Sequence, residues 1–487
     1  MVTRRVLPIL HTLGLVIAMF GLSMLLPLLV SLGIGDAAQL AFDKVFLITV
    51  GAGLGLWGIG RWHRRELKAR DGFLLVVMIW VSLPVFGALP LMFYLPELSF
   101  TDAYFEAMSG LTATGATLLT GLDHLPPSIN LWRTQMHFIG GMGVIVLVVA
   151  VLPMLGVGGR QMFKAETPTP MKDTKLTPRM TETAKGLWVA YMLFTGLCIL
   201  AFWGAGMDWL DALIHAFSVM SLGGFSSHDA SLGYFNSGLI EFVAASFALI
   251  AGINFATHFM ALRGLSLSAY RHDAEIRWFL LVVLLSCIVL AVYLWVTEVY
   301  PDLPTAMRYA AFNTISVATT LGFATTDYAA WPFVTGMWML FLSSFCTSAG
   351  STGGGIKMMR AMLLYKQVYR EIIKLLHPNA ETPTKLGGAV VPNKIIYAVL
   401  AFMFIYVALI VVMSFILIAS GLDVVTAFTA IVATVNNTGP GLAQVGPASN
   451  YAVLTDFQTW VCSFSMLLGR LELFTLLVVL TPAFWRK

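Results

Sequence analysis

The stretch Asp102-Ala-Tyr-Phe-Glu-Ala-Met-Ser109, followed closely by Thr112-Ala-Thr-Gly115-Ala-Thr, returns three more times along the chain. The second copy reads Asp211-Ala-Leu-Ile-His-Ala-Phe-Ser218 and Ser221-Leu-Gly-Gly224-Phe-Ser. The third reads Tyr309-Ala-Ala-Phe-Asn-Thr-Ile-Ser316 and Thr319-Thr-Leu-Gly322-Phe-Ala, the fourth Thr426-Ala-Phe-Thr-Ala-Ile-Val-Ala433 and Asn436-Asn-Thr-Gly439-Pro-Gly. Ala103, Ala212, Ala310 and Ala427 each stand 12 residues before Gly115, Gly224, Gly322 and Gly439. One Thr-x-Thr-Gly alone is an ordinary glycine turn, but four in a single register make an internal repeat.

The surroundings of these stretches are apolar. Of 487 residues, 58% are hydrophobic and 11% charged, against about 25% charged in an ordinary soluble domain. That composition excludes a soluble enzyme and makes the bilayer the solvent. A hydrocarbon core about 30 Å thick takes roughly 20 residues of helix, and about ten spans of that kind are legible. They lie near Leu7–Leu32, Phe42–Gly60, Phe73–Leu95, Leu131–Leu152, Leu187–Phe202, Leu239–Leu262, Ile276–Val296, Trp331–Leu364 (interrupted), Ile395–Ala419 and Phe457–Thr481. The first is longer than a signal-peptide core and lacks a small-residue cleavage site, so it reads as retained. Cys198, Cys287, Cys346 and Cys462 sit singly in apolar runs and read as packing residues.

Basic residues orient the spans, since loops rich in Lys and Arg stay cytoplasmic. Arg61–Arg70, Arg160–Lys185, Arg263–Arg277, Lys357–Lys394 and the two ends hold 25 of the 29 on one side. Both termini are therefore expected in the cytoplasm. The opposite loops carry Glu97, Asp102, Asp123, Asp208, Asp211, Asp229, Glu298, Asp302, Asp327 and Asp423. An acidic outer vestibule would concentrate cations, although any one of these acids equally reads as loop solvation.

The unit is thus a span, a short re-entrant helix, a glycine-containing strand and a second span. The expected fold is an all-α polytopic membrane protein, with four such tandem repeats around one pore after two extra N-terminal transmembrane helices. The helix pair takes residues 1–71 and the repeats 72–160, 161–263, 264–376 and 377–487. Non-helical backbone at membrane depth is tolerated where it lines a water-filled cavity or is buried in protein. Four such strands about one axis would present rings of carbonyl oxygens that replace a cation's hydration shell. Glycine supplies the dihedrals, and the negative C-terminal ends of the short helices favour cations there.

With these segments the sequence resembles the Trk/Ktr/HKT superfamily of potassium transporters, specifically the TrkH/TrkG subfamily with two additional N-terminal helices. The likeness extends to Gly140-Gly-Met-Gly143, Gly158-Gly-Arg-Gln-Met-Phe-Lys-Ala-Glu166, Leu176-Thr-Pro-Arg179, Gly350-Ser-Thr-Gly-Gly-Gly355 and Leu468-Gly-Arg-Leu-Glu472. The resemblance implies a Trk system potassium-uptake subunit of the bacterial inner membrane, a homodimer with one pore per protomer, and a cytosolic nucleotide-binding regulatory ring of the TrkA type. It also implies potassium as the ion held by filter backbone carbonyls, with no organic cofactor in this chain. The filter residues it marks are Thr112, Ala113, Thr114, Gly115, Leu222, Gly223, Gly224, Thr320, Leu321, Gly322, Asn437, Thr438 and Gly439. A glycine in all four strands goes with potassium in this superfamily. Ala113 departs from the threonine that relatives often carry, which a carbonyl donor tolerates.

The second span of the third repeat is interrupted by Cys346-Thr-Ser-Ala-Gly-Ser-Thr-Gly-Gly-Gly355. Glycine costs about 1 kcal/mol per helical position, and Ser and Thr compete for backbone hydrogen bonds, so a local unwound loop is expected. A small-residue helix-packing surface is the other reading. A phosphate-binding P-loop needs Gly-Lys adjacent, and Ile356 separates Gly355 from Lys357. Gly354 lies 32 residues past Gly322 and Arg470 lies 31 past Gly439, so both should reach similar depth. Gly350, Ser351, Thr352, Gly353, Gly354, Gly355 and Arg470 are therefore the candidate gate, with a merely structural pairing of Arg470 the alternative. Arg133 and His137, four apart on one face, read first as interfacial anchoring and packing. Lys366, Arg370 and Lys374 suit a partner surface, positive-inside anchoring or anionic lipid.

An embedded enzyme would need paired acids, a His cluster or a nucleophile with a base, and no such constellation is legible. Nor is nucleic acid an expected partner. A proton- or sodium-coupled secondary potassium symporter is the alternative function, though the repeats run parallel and no carboxylate appears at the filters.

Overall fold

In lipid a chain must satisfy its own backbone polar groups within each spanning segment, so the apolar runs fold as helices. The computed structural model describes residues 2–61, 68–150, 176–387 and 389–486. Among these, six stretches are long and apolar enough to cross a membrane: Leu7–Ile34, Gln39–Gly60, Arg70–Tyr94, Ala184–Gly204, Ala274–Val296 and Asn393–Ala419. Two bent helix pairs bring the number to eight. The remaining two expected spans are the helix Pro127–Ala150, which carries buried Asn130, Arg133, Gln135 and His137, and the pair Phe333–Ser343 and Met358–Leu376, separated by an unwound stretch. The chain is a multi-pass helical membrane protein. A two-residue antiparallel pair, Lys385 with Val390 and Leu386 with Ala389, is the strand structure among the described residues. The run Gly158–Glu166 lies outside the described residues, and Leu176-Thr-Pro-Arg179 opens the helix Leu176–Gly204.

Two expected spans are not continuous. Leu239–Leu262 breaks into Gly238–Ala251 and Phe255–Gly264 at an angle of 93°, and Phe457–Thr481 into Asp456–Arg470 and Phe474–Leu480 at 114°. The first bend is held by Asn254, whose side chain caps the following helix through the Ala256 N–H. The second passes through Glu472 and Leu473, both in the left-handed region at φ 52° and 54°. The second helices of repeats two, three and four thus all break.

The four short helices run Phe100–Leu111, Trp209–Ser221, Leu303–Ala318 and Val424–Val435. Each starts at a side-chain cap: Ser99 accepts from the Asp102 N–H, Asp208 from Leu210 and Asp211, Asp302 from Thr305, and Asp423 from Thr426. Three acids of the supposed vestibule are therefore capping residues, which also complement the positive helix end. The shared Ala103, Ala212, Ala310 and Ala427 are completely buried, in a close-packed interior that favours a small side chain.

The extra N-terminal pair docks on the first repeat through Trp132. Its ring lies 5.3 Å from Phe20 and 6.4 Å from Phe42, while its indole N–H donates to the Gly87 carbonyl at 3.0 Å.

Candidate functional site: an ion pathway at the repeat axis

Each short helix ends where its glycine strand begins, at Thr112, Leu222, Thr319 and Asn436. The backbone then takes the same unusual course four times. Ala113, Leu222, Thr320 and Asn437 have φ of 50°, 55°, 64° and 53°, and two residues on Gly115, Gly224, Gly322 and Gly439 have φ of 83°, 88°, 83° and 90°. Left-handed non-glycine residues carry strain. Ala113 shares the conformation of its three counterparts, so its side chain leaves the backbone course unchanged.

The glycines also interlock. A Cβ on Gly115 would run into the Gly223 carbonyl oxygen, one on Gly224 into that of Leu321, one on Gly322 into that of Thr438, and one on Gly439 into that of Thr114. Each strand's glycine is thus backed by the carbonyl preceding the next strand's glycine, and the fourth returns to the first. All thirteen candidate filter residues lie in these four strands, and the four glycines line one cavity. Gly140 and Gly469 allow equally close approach one layer away, to the Leu111 and Val435 carbonyls that end two of the short helices.

Side chains behind the strands hold this course. Thr112 and Thr114 hydroxyls are 2.7 Å apart, and the Asn437 amide donates to Thr114 Oγ1 at 2.9 Å and to the Met466 carbonyl at 3.1 Å. Three residues past each shared alanine stand Glu106, His215, Asn313 and Ala430. Glu106 accepts from Thr117 Oγ1 at 2.9 Å and the Leu118 N–H at 3.1 Å. His215 Nε2 meets Ser226 Oγ at 2.9 Å, and the Asn313 amide donates to Thr325 Oγ1 at 2.9 Å. Sequence reasoning missed this set, although a polar residue at one register position in three of four copies was a readable signal. Tyr451 was missed as well: its hydroxyl donates to the Gly439 carbonyl at 2.8 Å, and its N–H to the Thr117 carbonyl at 2.9 Å.

Arg133 and His137 are not interfacial. Both are fully buried beside the first two strands. Arg133 pairs with Glu106 at 2.8 Å, and the His137 ring stacks on Phe225 at 4.2 Å with Nδ1 3.3 Å from Ser218 Oγ. His228 and Asp229 line the same cavity as the four glycines. His228 Nδ1 lies 2.5 Å from Asp123 and Nε2 3.3 Å from Asp211, bridging the segment after the first strand to the short helix of the second repeat. Burial lowers the His228 pKa, but hydrogen bonds to Asp211 and Asp123 outweigh it and raise the value above the usual 6.5. Asp123 moves the opposite way: partial burial raises it, and the hydrogen bond from His228 brings it below the usual 3.8.

The stretch between Ser343 and Met358 is unwound as expected, and it packs under three of the four strands. The Thr352 hydroxyl donates to the Met220 carbonyl at 3.1 Å, the Gly354 N–H donates to Thr320 Oγ1 at 3.0 Å, and a Cβ on Gly354 would collide with the Asn436 carbonyl. Arg470 reaches the same loop, donating from Nη1 to the Thr352 carbonyl at 2.9 Å. Its Nε and Nη2 find no hydrogen-bond partner among the described residues. Lys357, not anticipated as part of this loop, is buried and donates from Nζ to the Gly353 carbonyl and, at 3.4 Å, to Ser351 Oγ. Beyond it, Lys366 and Arg370 are engaged within the chain, by the Lys385 carbonyl at 2.5 Å and Asn393 at 2.8 Å.

Residues 39–487 match the TrkH family, described as cation transport proteins. The chain is 46% identical over 475 residues to the Trk system potassium uptake protein TrkH of Salmonella typhimurium, covering 97% of this chain and 98% of that protein. It is 38% identical over 486 residues to TrkG of Escherichia coli, covering both chains in full. The crystal structure of the potassium transporter TrkH from Vibrio parahaemolyticus superposes with a TM-score of 0.91 at 42% identity, covering all of both chains. These relatives are named as transport proteins and not as enzymes.

Proposed function

The chain belongs to the TrkH family of cation transport proteins, and on that premise we propose that it is a potassium-uptake subunit of the bacterial inner membrane with both termini in the cytoplasm. The observation that carries the reading is the closed ring in which each strand glycine abuts the carbonyl preceding the next. Such a ring brings backbone oxygens together where a cation can exchange water for carbonyls. Potassium is the transported ion, held by the carbonyls of Thr112–Gly115, Leu222–Gly224, Thr320–Gly322 and Asn437–Gly439. The negative ends of the four short helices lead directly into these strands and favour a cation there.

Below the ring, the loop Gly350–Gly355 and Arg470 form the gate. The loop stands in the path and the guanidinium opposes a waiting cation. Opening requires the loop to leave Met220, Thr320 and Thr352's arginine partner together. Displacement by a cytosolic nucleotide-binding ring of the TrkA type, acting on a homodimer, fits the potassium-uptake systems named for the relatives. Lipid surrounds the apolar faces.

Potassium or rubidium flux into liposomes holding the purified chain, compared with Gly322→Ser, tests the reading. A fall in selectivity for potassium is expected, and unaltered flux and selectivity would remove the filter assignment.

A further inference from the structure

The geometry points to the Glu106–Arg133 ion pair as the specificity-determining brace of the filter, holding the first and second glycine strands at the spacing that distinguishes potassium from smaller cations. The inference rests on the filter reading proposed above and names residues that set its selectivity.

Both side chains are 0% exposed, with nitrogen and oxygen 2.8 Å apart. The Glu106 carboxylate holds the strand just past Gly115 through Thr117 Oγ1 and the Leu118 N–H. The guanidinium spreads across two strands. Nη2 donates to Thr117 Oγ1 at 3.2 Å, and Nη1 donates to the Ser226 carbonyl, two residues past Gly224, at 3.1 Å. Its remaining contacts are Asn130 Oδ1 at 3.3 Å and the Phe225 ring, whose centroid lies 4.3 Å from Cζ.

In repeats two and three the equivalent positions hold an imidazole and a carboxamide, His215 and Asn313, and each binds its own strand. A buried ion pair is a poor source of stability, because desolvation offsets most of the attraction. What it supplies is fixed geometry, through a planar fork that accepts little displacement. Selectivity between cations depends on how far the carbonyls can close around a smaller ion, so loosening one pair of strands lowers it. Glu106 also cancels the positive charge of Arg133, which would otherwise repel a cation entering the cavity that Arg133 helps to line.

The test is the potassium-to-sodium flux ratio of the purified full chain in liposomes, for Arg133→Lys, Glu106→Gln and the paired Glu106→Gln/Arg133→Gln. Arg133→Lys keeps the charge and loses the fork, and the paired variant avoids a lone buried charge. A ratio about tenfold lower than that of the parent chain is expected, equivalent to about 1.4 kcal/mol. Gly322→Ser is the control for the filter itself. Unchanged ratios in the brace variants beside a lowered ratio in Gly322→Ser overturn the brace and leave the filter standing. An unchanged ratio in Gly322→Ser as well removes the filter reading. Failure of all three brace variants to assemble would make the pair a folding element and overturn the proposal too.

Discussion

Arg470, from the fourth repeat, donates a hydrogen bond to the backbone carbonyl of Thr352 in the broken helix of the third, 118 residues away in sequence and 2.9 Å away in space. The contact joins the arginine that ends its helix to a loop that also touches Met220, Thr320 and Asn436, in repeats two, three and four.

Arg470→Ala removes both the contact and the charge. A charge-assisted hydrogen bond contributes about 1.5 kcal/mol or more, so basal potassium flux through the chain alone should rise about tenfold. Deleting Gly350–Gly355 should act in the same direction. Flux equal to that of the parent chain in both variants would exclude the loop as the barrier.

Gly224→Ala tests the ring from a second side. The position has φ 88°, and a Cβ there meets the Leu321 carbonyl. The left-handed conformation alone costs an L-residue roughly 1–2 kcal/mol, so both thermal stability and potassium selectivity should fall. Gly121→Asn is the contrasting case. It shares a positive φ of 69°, nothing lies within 4 Å of its Cβ position, and Asn tolerates that conformation. Equal effects of the two substitutions would contradict the crowding argument.

His228 makes stability depend on pH with a definite sign. Its folded value is raised, so its contribution is full below the usual 6.5 and is lost as pH rises through that raised value. Asp123 is lowered, so its contribution is present above the usual 3.8 and is lost as pH falls through the lowered value. Asp211, His215 and Asp229 face the same bridge. Melting temperatures of the parent chain and His228→Ala should therefore differ at mildly acidic pH and converge as the pH becomes alkaline. Parallel curves would dismiss the bridge as a contributor.

Tyr451→Phe takes away one hydroxyl and leaves the Gly439 carbonyl without its 2.8 Å donor. A loss of about 1 kcal/mol is expected, read as a lower melting temperature with the fold retained. A rise or no change in melting temperature would show that this bond does not hold the fourth strand.

The helical fold was legible because hydropathy and register both live in the side chains. Ala103, Ala212, Ala310 and Ala427 repeat at completely buried positions, and the preference of a close-packed interior for small side chains is written directly in residue type. The bends after Ala251 and Arg470 were not legible. They arise from backbone contacts and left-handed residues inside runs that remain apolar, such as the Ser348 N–H on the Gly252 carbonyl and the positive φ of Glu472 and Leu473. Around the candidate site, the glycines and the small-residue break stand out locally. Arg133 stands out as the one ion of its span, but Glu106 shares its short helix with Asp102, and only the packing of two helices makes Glu106 and Arg133 a pair. Asp208, Asp302 and Asp423 show the converse, because capping and cation attraction call for the same residue.

The circular order of the glycine contacts also governs when the ring itself can close. A chain is made from its N-terminus, and its domains settle in that order. While only three repeats have entered the bilayer, Gly322 has no Thr438 carbonyl beside it and the Thr114 carbonyl has no Gly439. Nothing short of residues 114–439 holds every member of the ring. The ring is therefore finished last, by the C-terminal quarter of the protein. A product truncated before Gly439 can insert its helices and still never own a complete ring, so a ribosome that stops early leaves behind a membrane protein whose first and third strands lack their neighbour.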